Sequence, residues 1–471
     1  MPYSTTGAHP YRCPAPELNA LRPTFPRLAI AALAALSGVT GCARYTPLPL
    51  ATAPPLADDV RSLARADAIV GTAPLSIAQV VGLVLANNPD LKAARLRRAI
   101  AAGQTRQAGI LPNPSLTGAF LPLLSGGGSV PAWNIGLSQD IKALLTYRMR
   151  RRAAVDSARQ VAADVVWQEW QVAGQVRQVA GDLILGAASR RSYLAAYELL
   201  AARNAKLEQA LAARNVTLVT IAPDRVALQA ARTALDALDQ RQLALMHQLD
   251  ALLGLAPEVV VPLATRIDLP PFDPSAIRAG LATLPDRRPD LIALRLGYAA
   301  ADEQLRQAIV AQFPDLIIGG GISSDSSKVI NAGPNAAIGL PIFDRNQGNV
   351  AITRATRAQL RADYAARLAT AIGTVGALLR EMEQLSAQLA VARRDLPAAR
   401  SAADRAQAAF GASNIDERGY VDLVYNRFAK EQEIMTLELA LLDRQVAIQT
   451  LVGNGLPTVN LSVGDARAMP R

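Results

Sequence analysis

Residues that carry chemistry are scarce in this chain. Among 471 residues there are two cysteines and two histidines. Cys13 and His9 lie in the first fifteen positions, within a stretch read below as a leader, which leaves Cys42 and His247. A disulfide framework is therefore excluded, and so is a zinc centre of the Cys/His type. His247 falls in a helical run and reads as a packed or solvated helix residue. No nucleophile–base motif occurs. The triplet Gly126-Gly127-Gly128 is followed by neither a helix start nor a Lys, so it reads as a flexible loop and not a phosphate cradle. Neither an enzyme nor a bound cofactor or metal is expected. Aromatic residues make up 4% of the chain. Lys and Arg outnumber Asp and Glu by 49 to 39, but they are scattered at helical intervals without interleaved aromatics. That pattern argues for a solvated helical surface and against nucleic acid. Past residue 42 no run of about twenty apolar residues exists, so no membrane-spanning helix is available.

Apolar residues account for 51% of the chain, with Ala and Leu dominant. This bias favours long helices over a sheet-dominated core. At the N-terminus, Arg22 and Arg27 precede the apolar run Leu28–Leu36, which is too short to span a bilayer and suits a signal peptide over 1–41. The following Val39-Thr40-Gly41-Cys42 resembles a bacterial lipoprotein cleavage box, which would make Cys42 the lipidated first residue of the mature chain. Residues 42–74 then form an extended segment.

The phrase Pro-Asp-Leu-x-x-x-x-Leu occurs at 89–96 and again at 289–296. Its flanks repeat too. Each copy opens helix-like sequence that ends near a proline, at Pro112 and at Pro314. Period-two alternation follows: Trp133, Ile135 and Leu137 share one face, as do Ala336, Ile338, Leu340 and Ile342. Strands are expected at about 114–124 and 131–141, and at about 315–325 and 333–343. Turn-rich loops separate the strands of each pair. Long helical tracts follow at about 145–213 and 347–411, with returning helices at about 224–253 and 421–453. A 69-residue helix spans roughly 100 Å. Near-heptad stripes such as Val165, Val172, Val176 and Val179 suit coiled-coil packing, and Gly254 and Gly453 suit helix stops. Asp224 and Asp422 are expected to cap the returning helices, Pro223 fits the chain reversal, and Pro397 should bend the second descending helix. The chain thus divides into repeats at 75–254 and 286–455, a proline-rich equatorial linker at 255–285 and a tail at 456–471.

This organisation resembles the TolC-type outer-membrane efflux family. The tip 215–224 is close to the family's tip turn, with Thr217 where Gly is usual. The string Phe343-Asp344-Arg345-Asn346-Gln347-Gly348 is most similar to the heavy-metal, CzcC-like branch. The resemblance implies a mainly α fold with a small β part. Four strands per chain would enter a trimeric twelve-stranded transmembrane barrel, beneath which a coiled-coil helical barrel would hang into the periplasm. Independently, a four-stranded sheet leaves two edges that lipid cannot satisfy, so copies of the chain must close it. The implied partners are a homotrimer, outer-membrane lipid, a periplasmic membrane-fusion adaptor and an inner-membrane RND-type pump. The implied function is a passive duct for small toxic compounds or heavy-metal cations. By resemblance, Asp422 belongs to an acidic ring at the closed tip, Tyr425 stands where a second acidic residue is usual, and Arg418 latches the tip with Asp224 as its partner. Asp344, Arg345 and Asn346 mark the strand–helix junction, either as duct lining or as turn and capping groups. Two other readings compete: a type I secretion duct, and a lipid-anchored periplasmic coiled-coil adaptor without a pore. The second leaves the four alternating strands unexplained.

Overall fold

The structure, a computed structural model, describes residues 45–70 and 74–459. The expected leader, Cys42 and most of the tail lie outside the described residues. The chain divides into two units, Met1–Pro55 and Leu56–Arg471. Of the first, residues 45–55 are exposed and lack regular secondary structure.

The second unit holds a repeated hairpin of helices and strands. Its principal elements are α1 (Ile77–Asn87), α2 (Pro89–Ala108), β1 (Ser115–Leu121), β2 (Ala132–Asp140), α3 (Ile141–Ala212) and α4 (Leu218–Leu253) in the first half. In the second half they are α5 (Pro289–Val310), β3 (Asp315–Ser324), β4 (Ile330–Gly339), α6 (Gln347–Gly411) and α7 (Glu417–Val452). Short helical segments at Ala66–Ile69, Pro274–Gly280 and Leu284–Arg287 belong to the connecting stretches. With 72 and 65 residues, α3 and α6 are the two long rods; at 1.5 Å per residue they reach about 110 and 100 Å.

Each rod is flanked by two shorter helices lying end to end. The upper part of α3 packs against α2 and α5, and its lower part packs against α4 and α7. The C-terminus of α4 abuts the start of α2: Asn88 Nδ2 donates to the Leu252 carbonyl at 3.0 Å, and Gly254 lies against Pro89. Gly254 and Gly453 stop α4 and α7 in the left-handed region, at φ 74° and 76°, where glycine carries no Cβ penalty. The repeated Pro-Asp-Leu phrase is a helix start in both halves, with Pro at the first helical position. The two starts are capped differently. In the first, Asn88 Oδ1 accepts from Leu91 N at 2.9 Å. In the second, Arg288 occupies the cap and turns its guanidinium onto Asp290, at 2.7 and 3.0 Å, under the Trp167 ring.

Alanine and glycine set how closely the helices approach. A Cβ at Gly174 would come within 2.6 Å of Thr450 Oγ1, and one at Gly181 within 2.6 Å of Leu442 Cδ2, so these α7 side chains rest on the bare α3 backbone. The largest apolar core joins residues 57–84 to the middle of α3, the end of α4 and the linker at 255–269. A second core joins Leu284 to Val375 and Leu379 of α6 and to Ile448 and Val452 of α7.

The four strands form one antiparallel sheet in the order β1-β2-β3-β4. At Gly319 a Cβ would meet the Leu137 carbonyl oxygen at 2.5 Å. Because that atom is backbone and cannot step aside, Gly319→Val should break the β2–β3 ladder. The yield of folded, assembled protein should fall at least tenfold, while Gly333→Ala, which meets nothing within 4 Å, should leave it unchanged.

Several boundaries differ from the sequence expectation. The last strand runs 330–339 and not 333–343, so Leu340 and Ile342 are outside it; Pro341, without an N–H, cannot continue the ladder. The returning helices begin at Leu218 and Glu417. Their caps are Thr217, which accepts from Thr220 N, and Asp416, which accepts from Gly419 N. Asp224 and Asp422 therefore lie inside their helices and cap nothing, and Pro223 sits in the second turn of α4. The carbonyl that Pro223 leaves without an amide partner is that of Val219, which is exposed to solvent.

Candidate functional site

Side-chain alternation and the ladder register together divide the sheet into two unlike faces. One face carries Leu116, Gly118 and Phe120 of β1, Trp133, Ile135, Leu137 and Gln139 of β2, Leu316, Ile318, Gly320, Ile322 and Ser324 of β3, and Ile330, Ala332, Pro334, Ala336 and Ile338 of β4. The other carries Thr117, Asn134, Ser138, Asp140, Asp315, Ser323, Asn331 and Asn335, with Gly136, Gly319, Gly321 and Gly333 and three alanines between them and Leu121 and Ile317 near strand ends. The apolar face is bare: Leu116, Phe120, Ile135, Leu137, Ile322, Ile330 and Ile338 are each at least half exposed. Among the described residues the outer edges of β1 and β4 are unpaired. A sheet with one greasy, uncovered face, one polar face and two open edges matches a segment of barrel wall in a bilayer. The hairpin tips are tied to each other, with Ser129 N donating to the Ser326 carbonyl at 2.8 Å.

At the opposite end of the rods lie the two tip turns, which share one geometry. Arg214 and Ser413 take left-handed conformations at φ 60° and 57°. Asn215 N and Asn414 N then reach back to the Ala210 and Ala409 carbonyls, at 2.8 Å each. Superposing the turns pairs Thr217 with Asp416, so Asp422 corresponds to Pro223 and Asp224 to Leu423. The two aspartates are not equivalent positions.

The structure places the expected gate residues in three different settings. Asp224 accepts from Arg203 Nε at 2.6 Å; the Arg203 side chain is buried and that of Asp224 is 14% exposed. Arg418 and Asp422 are together, 3.7 Å apart and one turn from each other on exposed α7. Arg418 makes no contact with Asp224 within the chain. Tyr425 is half-buried against Leu200, Ala231 and Val421, beside Tyr420, which stacks on Phe410 at 5.0 Å. Lys206 of α3 meets Glu417 of α7 at 2.8 Å and ties the two hairpins at the tip.

At the strand–helix junction, Asp344 accepts from Asn346 N at 2.8 Å, and Asn346 Nδ2 donates to the Ala308 carbonyl at 2.8 Å. Asn346 itself is left-handed, at φ 58°. Arg345 Nε donates to the Pro341 carbonyl at 3.3 Å. All three contacts are turn and capping chemistry. His247 is exposed on α4. Pro397 lies within α6, which continues through it.

Sequence reasoning missed Arg203 and a carboxylate cluster midway along the rods. Reflection of α3 onto α4 about the turn at 213–217 takes Arg203 to position 227, within about one helical turn of Asp224. In the cluster, Asp182 is almost fully buried and accepts from Arg241 at 2.7 Å, and Asp443 accepts from Gln178 at 3.0 Å. Burial, and then the charge of Asp182, raise the Asp443 pKa above its ordinary value. An acid whose folded pKa is raised destabilises the fold when ionised, and this penalty vanishes below the unfolded value near 3.8. Asp443→Asn should therefore raise the melting temperature at pH 7, with the gain shrinking to nothing below about pH 4; calorimetry across pH reads this directly.

Residues 281–454 match the model of the outer membrane efflux protein family. Over 179 residues the chain is 26% identical to the cation efflux system protein CusC of Escherichia coli K12 and 24% identical to the probable outer membrane lipoprotein SilC of Salmonella typhimurium. Each match covers 36% of this chain and 39% of the relative, so the chain spans about two-fifths of the length of these curated relatives. The fold is shared much more widely: the Campylobacter jejuni CmeC outer membrane channel superposes with a TM-score of 0.66 at 16% identity, over 88% of this chain and 94% of that one.

Proposed function

From the premise that the chain belongs to the outer membrane efflux protein family, we propose that it is the outer-membrane duct of a tripartite efflux system. The observation that carries this reading is the bare apolar face of the four-stranded sheet, backed by a polar, glycine-rich face. Two copies would close an eight-stranded barrel, whose interior side chains fill. Three copies give twelve strands and a water-filled passage, and the same symmetry brings the rods into a hollow cylinder. The first turns of α3 support the placement in a bilayer: Arg148, Arg151 and Arg152 are exposed, no carboxylate occurs between 141 and 155, and this basic collar lies where lipid phosphates would meet the barrel.

The partners are a periplasmic adaptor and an inner-membrane pump of the RND type, which supplies the energy. The likeness to a cation efflux protein favours metal cations as cargo, and the likeness to a named lipoprotein favours acylation at Cys42. Nothing in the fold favours a pore-free adaptor, whose surface would have no use for a greasy sheet face. At the tip, Arg418, Asp422 and Tyr425 form the movable gate, and Asp224 is a fixed point beside it. Arg418→Ala should raise the open probability of single channels in planar bilayers, since the Arg418–Asp422 pair is exposed and would be free to meet neighbouring copies in a trimer.

Reconstitution of the purified full-length chain tests the duct itself. Expected are a trimer in mild detergent and stepwise cation currents in planar bilayers. A monomer that passes no current would end the reading.

A further inference from the structure

Between α3, α4 and the linker lies a cavity of about 550 Å³, within the range of small-ligand sites. Its walls are apolar, from Leu183, Ile184, Leu249, Val261 and Leu263. Arg191, Gln242 and Thr265 also line it, but only one wall group is both charged and buried. Asp250 lines the cavity, is 4% exposed, and has neither a hydrogen bond nor an ion pair on its carboxylate among the described residues. The charged and titratable groups nearby are Arg191, exposed at the rim without an ion pair to Asp250, and His247, exposed one turn earlier on α4.

Three physical costs converge on this carboxylate. It is desolvated. It is unpaired. It also stands in the last turn of α4, where the helix dipole is negative and no basic side chain offsets it. Burial accordingly raises its pKa, with His247 opposing the shift. A positive charge placed beside Asp250 inside the cavity would relieve all three costs, and an apolar body attached to that charge would fill the remaining walls.

We propose that this cavity is a binding site for a small amphiphilic organic cation, with Asp250 as the counter-ion. The site is separate from both the sheet and the tip, and it does not depend on whether the chain conducts.

The probe is 1-naphthylmethylammonium, with 1-naphthylmethanol as its uncharged counterpart, measured by equilibrium dialysis against the full-length protein in a non-ionic detergent. Saturable binding of the cation at least tenfold tighter than that of the alcohol is expected. Asp250→Asn should remove the preference and weaken cation binding at least tenfold. Ala187→Trp, which fills the cavity from an exposed rim position, should abolish binding without touching the carboxylate. Three results would overturn the proposal: no saturable binding, equal binding by Asp250→Asn, or binding that emerges only after Arg191→Ala. The last would make Arg191 the resident counter-ion. Channel currents recorded on the same preparations keep this outcome distinct from failure of the duct reading.

Discussion

Ile135→Arg is expected to abolish assembly in the outer membrane, while Asn134→Arg, one residue away, leaves assembly intact. The two positions are neighbours on β2 and point to opposite faces. Ile135 lies opposite Gly118 and Ile322 on the bare apolar face, and Asn134 opposite Ala119 and Ser323 on the polar one. Ile135 is near the middle of its strand, and so near the middle of the bilayer if the sheet is barrel wall. A lipid-facing arginine at that depth costs about 2–4 kcal/mol per copy. Three copies in one barrel multiply that cost, which takes a large share of the 5–15 kcal/mol that typically holds a fold together. Asn134→Arg instead adds a ring of three cations to the passage. It should lower cation conductance at low salt and matter less as salt rises. Membrane fractionation and trimer migration on gels read the first effect, and single-channel recording reads the second. Equal assembly of the two variants would mean that the apolar face does not meet lipid, and the barrel reading would fall with it.

The sequence made the periodicity of this molecule legible, because periodicity is local. Alternation at 132–138 and heptad stripes in the rods need no knowledge of partners, and the doubled Pro-Asp-Leu phrase marks two helix starts that the structure contains. What escaped depended on geometry at a distance. Pro341 stops β4 early because a ladder bond is missing, and that becomes visible only once β3 is known to be its partner. Asp224 and Asp422 look alike in the sequence since each is an acid near a turn. The caps at Thr217 and Asp416 shift the true correspondence by one residue, which on a helix is about 100° of rotation. That rotation sends Asp224 inward to Arg203 and leaves Asp422 outside with Arg418. Asp250 was illegible for a different reason: a single carboxylate in an apolar helix end is unremarked until the linker at 259–265 is seen to roof it over.

Arg203 should matter more to the tip than any residue of the proposed gate. Its side chain is buried, donates to Asp224 of the same hairpin at 2.6 Å, and leaves Nη1 without a partner. Breaking a buried pair by removing one member costs about 3–5 kcal/mol, because the survivor stays charged and desolvated. Arg203→Ala and Asp224→Ala should each loosen the turn at 213–217, and trypsin should nick the tip at Arg214 at least tenfold faster than in the wild type. The double variant Arg203→Ala/Asp224→Ala strands no charge, so its tip should be better protected than that of Asp224→Ala alone, despite carrying one substitution more. Arg418→Ala, on an exposed pair, should leave the nicking rate unchanged and move only the channel's open probability. On the proposed duct reading, this division of labour would make the first hairpin the anvil of the gate and the second hairpin its moving part. Two results would reverse it: a protected tip in Arg203→Ala, or a double variant as fragile as the two single losses combined.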